Sequence, residues 1–150
     1  MQDKFTLLGN KMAVLIYGAG QIGAVVASIL RECGYQIDGF IDDRVSFVGN
    51  TVYGLPILGN RAWLLDNLGE RQVCIGVGTI RARKAVSTFL DEARIPTINA
   101  IHPSAVVSPE VRIGRDVVAG AGCVFYGNVL IGRGCYIGPS VTISHDTTIG

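Results

Sequence analysis

The chain has 150 residues, of which 49 % are hydrophobic and 17 % charged, and its net charge is +1. This ratio of hydrophobic to charged residues excludes an intrinsically disordered chain. The sequence has no run of basic residues that would indicate a nucleic-acid-binding surface. No apolar run reaches the roughly 18 residues that a membrane helix needs, and the N-terminus does not begin a secretory signal, so we expect a cytoplasmic protein that does not bind membranes.

The first hundred residues carry a nucleotide-binding pattern. After a leader expected at residues 1–11, an apolar run at 12–17 predicts a strand that ends in Gly18-Ala19-Gly20-Gln21-Ile22-Gly23. A helix is predicted at 24–31, and a second strand at 37–41 is followed by Asp42 and Asp43. A glycine turn between strand and helix, with an acidic residue about twenty positions later, is typical of a Rossmann-type unit.

This pattern points to a specific chemistry. The glycines allow a tight turn and a close approach of the backbone to a phosphate, and the start of the following helix offers free N–H groups to an anion. Asp42, at the end of the second strand, is placed to accept hydrogen bonds from ribose hydroxyls. The alternative is that the glycines only let the helix pack closely against the strand.

The remainder of this region completes a small domain. Residues 44–59 are rich in glycine and proline and are interpreted as an irregular crossover. Helices are predicted at 61–68 and 79–93, a third strand at 72–75 and a fourth at 97–100. We therefore expect an α/β, Rossmann-like domain with about four parallel strands over residues 12–100.

The last third of the chain has a period of six. One series of apolar residues recurs at every sixth position: Ile101, Val107, Ile113, Ala119, Phe125, Ile131, Ile137, Ile143 and Ile149. A second series of small or β-branched residues follows four positions after each of the first eight: Ala105, Val111, Val117, Cys123, Val129, Cys135, Val141 and Thr147. Neither a helix nor a flat strand has this period, whereas a hexapeptide repeat folds as a triangular parallel β-helix.

The repeat region, residues 101–150, is shorter than three full coils of eighteen residues. The chain reaches Gly150 in mid-coil without a capping element, which would leave open strand edges. We therefore expect the β-helix to be incomplete and the chain to be a piece of a longer protein.

One of the two histidines is a candidate catalytic residue. His145 falls at a corner of the predicted prism, where its ring points outward, and Asp146 is beside it. An imidazole oriented by a carboxylate is suited to general-base work at neutral pH, although a solvated turn histidine would look the same. His102 is interpreted as structural. Because the two histidines are far apart, we expect no zinc site and no metal cofactor.

Several segments together resemble one family. They are residues 14–20, 39–43, 54–59, 101–105 and 143–146, in that order. The chain resembles the bacterial sugar acyltransferases of the sialic acid O-acetyltransferase type, which include N-acetyltransferases acting on UDP-linked 4-amino-sugars.

The resemblance implies a homotrimer with a left-handed β-helix, along which acetyl-CoA lies between neighbouring subunits. It implies a nucleotide-sugar site, with a UDP-amino-sugar expected, and it makes His145 the general base and Asp146 its activating neighbour. The substrate-binding residues that it implies are Gly20, Gln21, Ile22, Asp42, Asp43 and Gly76. Some relatives carry Asn where this chain has Gly138, and most acetyl-CoA contacts are expected beyond residue 150.

Three functions are therefore open. The first is acetyl transfer from acetyl-CoA to the amine of a nucleotide-linked sugar in surface polysaccharide or glycan synthesis. The second is O-acetylation of a sugar or sialic acid. The third is a non-catalytic module that binds a nucleotide or NAD and trimerises through its β-helix.

Overall fold

In the computed structural model, the described residues are 12–150, so the leader expected at residues 1–11 lies outside them. The N-terminal part is a five-stranded sheet in the order β3-β4-β2-β1-β5, parallel except for the β3–β4 pair. Its strands are β1 Val14–Tyr17, β2 Ile37–Ile41, β3 Thr51–Val52, β4 Leu55–Gly59 and β5 Gln72–Ile75. Its helices are α1 Gln21–Glu32, α2 Arg61–Asn67 and α3 Ile80–Glu92.

The central strand β1 is buried along its whole length because the sheet is covered on both faces. Alternate side chains enter two cores. Val14 and Ile16 pack with α1 on one face, whereas Leu15 and Tyr17 pack with α2 and α3 on the other. The Rossmann-like fold expected for this part of the chain is confirmed.

The interpretation of residues 44–59 as an irregular crossover is wrong. Strands β3 and β4 form a hairpin around Tyr53 and Gly54, which both have positive φ values, of 50° and 73°. A two-residue turn with both φ values positive matches the twist of the flanking strands. Strand β4 then pairs in parallel with β2, through Phe40 and Ile57, and extends the sheet.

The fourth strand predicted at 97–100 is also wrong. Thr97 makes only an isolated bridge to Val73. The next strand, Ala100–Ile101, pairs instead with Val118–Ala119 and belongs to the β-helix. The predicted helix at 24–31 is longer than expected, because α1 begins at Gln21, directly after the glycine turn.

The C-terminal part is a parallel β-helix of nine two-residue strands. They are β6 Ala100–Ile101, β7 Val106–Val107, β8 Arg112–Ile113, β9 Val118–Ala119, β10 Val124–Phe125, β11 Leu130–Ile131, β12 Tyr136–Ile137, β13 Thr142–Ile143 and β14 Thr148–Ile149. They form three faces: the first face is β6-β9-β12, the second β7-β10-β13 and the third β8-β11-β14. This architecture confirms the predicted left-handed hexapeptide prism.

The six-residue pattern also predicts the core of the prism. In the middle coil Val117, Ala119, Phe125 and Ile131 are all fully buried. Within the first apolar series, Val107 in the first coil is the one exposed member, at 37 %, because its coil is an end coil of the described solenoid.

The corners of the prism connect its faces and define where its polar residues lie. The first corner joins the first and second faces, at residues 103–104, 121–122 and 139–140. The second corner joins the second and third faces, at 109–110, 127–128 and 145–146. The third corner joins the third and first faces, at 115–116 and 133–134.

The sheet domain sits on the first face of the prism. Ala100 and Val118 of that face share a core with α1. Near the first corner, Nε2 of His102 lies 3.0 Å from a carboxylate oxygen of Glu32 at the end of α1. Near the third corner, Arg83 of α3 donates to the carbonyl of Gly134 at 2.7 Å. The second corner is therefore the edge of the prism opposite the sheet domain.

None of the helices in the described part of the chain has the length and apolar character to cross a bilayer.

Candidate functional site

A cavity of about 480 Å³ opens at the carboxyl ends of β1, β2 and β5. In open parallel sheets this edge is where ligands bind. The cavity contains all six substrate-binding residues expected from the sequence. It is lined by Tyr17, Gly18, Gly20, Gln21, Ile22, Asp42, Asp43, Arg44, Arg61, Gly76, Val77, Gly78, Thr79, Ala82, Ala85 and Val86.

The glycine turn brings the start of α1 against the end of β1. Gly18 has a φ of +114°, a conformation that favours glycine. A Cβ atom on Gly23 would lie 2.0 Å from the carbonyl oxygen of Gly18, so only glycine permits this helix-to-strand distance. Gly20 is the N-cap of α1 and supplies no side-chain hydrogen bond, which leaves the first N–H groups of the helix available to an anion.

A second helix also begins at this cavity. Gly78 and Thr79 line it immediately before α3, and Oγ1 of Thr79 accepts a hydrogen bond from the N–H of Ala82. The positive ends of two helix dipoles therefore face one cavity and favour a ligand that carries negative charge. The side chains of Arg44 and Arg61 also border the cavity, where they are paired with Asp42 and Asp43.

Asp42 fastens the glycine turn to the end of β2. Its Oδ2 accepts from the N–H of Ala19 at 2.9 Å, and Arg44 donates to both of its carboxylate oxygens. Burial alone would raise the pKa of Asp42, but the hydrogen bonds from Arg44 and Ala19 outweigh it and hold that pKa below its ordinary value. The carboxylate thus stabilises the wall of the cavity, while contact with a ribose stays a prediction.

We expect Asp42→Asn to lower the free energy of unfolding by about 1–3 kcal/mol at neutral pH, because one amide oxygen replaces two charged acceptors. A carboxyl group whose pKa is lowered by folding stabilises the fold fully at a pH above its ordinary pKa of 3.8. It loses that effect as the pH falls through the folded-state pKa. The difference between wild type and variant in urea unfolding should therefore shrink below about pH 4. A constant difference from pH 3 to pH 8 would contradict this account.

Asp43 ties the start of α2 to the same edge. Its Oδ2 accepts from the hydroxyl of Tyr17 at 2.7 Å and from Arg61 at 2.6 Å, and its Oδ1 accepts from the N–H of Arg61. Burial, followed by the contact with Asp43, raises the pKa of Tyr17. The phenol therefore stays protonated and acts as a donor. Tyr17, Arg44 and Arg61 were not identified from the sequence, because their roles depend on tertiary contacts.

His145 and Asp146 lie elsewhere, on the second corner of the prism. Nδ1 of His145 is 3.3 Å from a carboxylate oxygen of Asp146, and the two side chains are 80 % and 75 % exposed. Gly127 occupies the same corner one coil earlier, where an added Cβ atom would lie 3.3 Å from the Cβ of His145. Asn128 donates to the other oxygen of Asp146 at 3.5 Å. The imidazole ring of His145 is thus open to solvent.

The structure therefore brings together the six cavity residues but separates them from the candidate base. The cavity belongs to the sheet domain on the first face, whereas His145 projects from the opposite edge. Over residues 12–150, no group of three or more His, Cys, Asp and Glu side chains is arranged to hold a metal ion.

Two family models match this chain. The one described as PglD N-terminal domain matches residues 13–90. The one described as bacterial transferase hexapeptide (six repeats) matches residues 110–145. Among curated proteins, GDP-perosamine N-acetyltransferase of Escherichia coli O157:H7 is 28 % identical over 142 residues, which are 90 % of this chain and 55 % of that protein.

Solved structures are similar over nearly the whole chain. PerB from Caulobacter crescentus, in complex with CoA and GDP-perosamine, has a TM-score of 0.83 at 31 % identity, covering 92 % of this chain and 65 % of its own. A histidine-to-asparagine mutant of the Caulobacter perosamine N-acetyltransferase, with the same ligands, scores 0.84 at 30 % identity, with the same coverage. The acetyltransferase domain of PglB from Neisseria gonorrhoeae, in complex with acetyl coenzyme A, scores 0.83 at 29 % identity, covering 93 % and 67 %. This chain thus spans about half of the curated relative and 65 % of the PerB chain.

Proposed function

This chain belongs to the PglD N-terminal domain family, and from that premise we propose that it is the nucleotide-sugar-binding and base-bearing part of an acetyltransferase. The observation that carries the proposal is the combination, in one chain, of a cavity at the starts of two helices with a solvent-exposed histidine–aspartate pair on a hexapeptide prism. Acetyl-CoA is the proposed donor, and the amine of a nucleotide-linked sugar is the proposed acceptor.

The proposed reaction needs one base and no metal. His145 takes a proton from the acceptor amine as the nitrogen attacks the thioester carbon. The carbon–sulfur bond then breaks, the amide is formed, and the sulfur of CoA leaves as a thiolate that takes up a proton. Asp146 orients the imidazole and stabilises its charged form. A hydroxyl acceptor would need the same base, but the relatives that match over nearly the whole chain are N-acetyltransferases by name, which favours an amine.

The diphosphate of the sugar nucleotide is proposed to lie at the start of α1, at Gly20, Gln21 and Ile22. Asp43 and Gly76 complete the wall of the cavity. The family resemblance implies a uridine nucleotide, whereas the relatives that match over nearly the whole chain and whose names give a substrate take GDP-perosamine. We therefore propose a nucleoside-diphosphate amino-sugar and leave the identity of the nucleobase to the ligand test.

The geometry supports a trimer with shared sites. Because the sheet domain covers the first face and His145 lies on the opposite edge, a sugar held in the cavity of one copy approaches the base of a neighbouring copy. Val106 and Tyr126, beside the second face, are 53 % and 50 % exposed and offer apolar surface for that contact. A cytosolic location stays a prediction.

The ligand test compares thermal shifts of the full-length protein with UDP, a UDP-amino-sugar, GDP, GDP-perosamine and NAD. We expect one of the nucleoside diphosphates and its amino-sugar to raise the Tm by several degrees, because a ligand at about 100 times its Kd stabilises by about 2.7 kcal/mol. NAD should give no shift. A shift with NAD alone would overturn the proposal in favour of a dinucleotide-binding module.

A further inference from the structure

The junction between the sheet domain and the prism is centred on one buried arginine. Arg83 of α3 is only 4 % exposed. Its guanidinium donates to four carbonyl oxygens, two in each domain. The acceptors are Ile75 at 3.2 Å and Val77 at 3.0 Å in the sheet domain, and Asp116 at 2.6 Å and Gly134 at 2.7 Å in the prism.

The two acceptors in the sheet domain flank the nucleotide cavity. Val77 lines the cavity itself, and Ile75 directly precedes Gly76, which also lines it. The two acceptors in the prism belong to the third corner, in successive coils. A single buried side chain therefore joins the cavity wall to the prism of the same copy, which is the element proposed to pack against the neighbouring copy.

Other polar contacts across the junction do not reach the cavity wall. Arg133 of the third corner donates to the carboxylates of Asp116 and Asp91, and Ser87 donates to Asp116 at 2.7 Å. These contacts fasten the middle and the end of α3 to the prism. Arg83 is distinguished from them by its two bonds to residues 75–77.

Burying the guanidinium of Arg83 costs free energy, so the hydrogen bonds that it makes have to compensate for the lost hydration. Burial lowers the pKa of Arg83, yet a guanidinium stays charged and its charge is offset here mainly by carbonyl dipoles. A flat fork of donors matches four fixed acceptors, whereas the single ammonium of a lysine has three donors on one atom and cannot span both domains.

We propose that Arg83 is a positioning residue, which holds the nucleotide cavity in one orientation relative to the prism so that the acceptor amine meets the base in a reactive geometry. The proposal rests on the proposed function, because it concerns the alignment of the cavity of one copy with His145 of the neighbouring copy. A misplacement of about 1 Å between reacting groups can lower the rate about 100-fold, even when both substrates bind normally.

The test compares Arg83→Lys with Arg133→Lys in the full-length protein. For Arg83→Lys we expect kcat at saturating substrates to fall about 10- to 100-fold. The Kd for the nucleotide should change by about threefold or less, because the glycine turn and the start of α1 stay in place. Arg133→Lys serves as the matched control, since it loosens the same junction without touching residues 75–77, and its kcat should stay within about twofold of wild type.

Three kinetic results would overturn the proposal. The first is a kcat of Arg83→Lys within about twofold of wild type, and the second is an equal loss of kcat in both variants at equal Tm. A rise in Kd that accounts for the whole loss of kcat/KM would make Arg83 a binding residue instead, and it would also overturn the proposal.

A second readout does not depend on activity. Amide hydrogen exchange over residues 75–80 should be faster in Arg83→Lys than in wild type and unchanged in Arg133→Lys. If the wild-type protein transfers no acetyl group, the proposed function fails, and the exchange experiment still decides whether Arg83 holds the cavity wall. Equal exchange in both variants would refute that role.

Discussion

Replacement of His145 by Ala is expected to lower kcat for acetyl transfer in the full-length protein by about 10²- to 10⁴-fold, the range that a general base contributes. The structure supports this expectation, because the imidazole is 80 % exposed at the second corner and paired with Asp146 on one side only. The Kd for the nucleotide should be unchanged, since the cavity lies in the sheet domain, on the opposite side of the prism from His145. Steady-state kinetics and calorimetry with the nucleotide measure the two quantities.

His102 provides the matched control for this substitution. It is the only other histidine, and it lies at the junction, with its Nε2 near Glu32 and its Nδ1 2.7 Å from the hydroxyl of Ser104. His102→Gln should lower the Tm and leave kcat nearly unchanged. Turnover retained by His145→Ala, or an equal loss in both variants, would remove His145 from the mechanism.

The prism was predictable because its rule is local. A hexapeptide specifies one strand and one turn, so the phase of Ile131, Ile137 and Ile143 alone places each side chain in the core. The same phase places His145 at a corner. The cavity was predictable from the local pattern at the glycine turn and at the acidic residues after β2, because residues close in the motif are also close in space. Its third predicted part, Gly76, came from the family resemblance.

The remaining features depend on contacts that no local pattern encodes. The hairpin at Tyr53 and Gly54 was missed because its glycine and proline content suggested a loop, although Leu55, Ile57 and Gly59 alternate as in a strand. Arg83 lies on the buried face of α3, one turn before Val86 and Ser87. A cation at such a position indicates that polar groups are buried beside it to accept its hydrogen bonds. Its four acceptors, however, come from three separate segments.

Substitution by alanine should have different effects at Gly23 and Gly20, two glycines of the same turn: the first should lower stability and the second should weaken nucleotide binding. Gly23→Ala is expected to lower the free energy of unfolding by more than about 3 kcal/mol, because its Cβ atom would lie 2.0 Å from the carbonyl oxygen of Gly18 and neither backbone can move without opening the helix from the strand. A loss of this size corresponds to roughly 10 °C in Tm. Nucleotide binding should be lost with it.

Gly20→Ala should fold normally, since its Cβ atom meets nothing within 4 Å. That open space is part of the cavity, so the added methyl group should instead keep a phosphate away from the start of α1 and raise the nucleotide Kd about tenfold or more. Thermal unfolding and calorimetry on both variants separate the two effects. Unchanged affinity in Gly20→Ala would show that the phosphate does not approach this turn.

The Gly20 variant also tests whether neighbouring copies share each site. The Gly20→Ala copy has an impaired cavity but keeps His145, whereas the His145→Ala copy has an intact cavity but no base. Neither variant alone should therefore be active at low nucleotide-sugar concentration. If each site takes its cavity from one copy and its base from the next, co-refolding equal amounts should restore about a quarter of wild-type activity in random trimers. If cavity and base of the same copy act together, no mixture can contain a working site and the activity stays at the level of the separate variants.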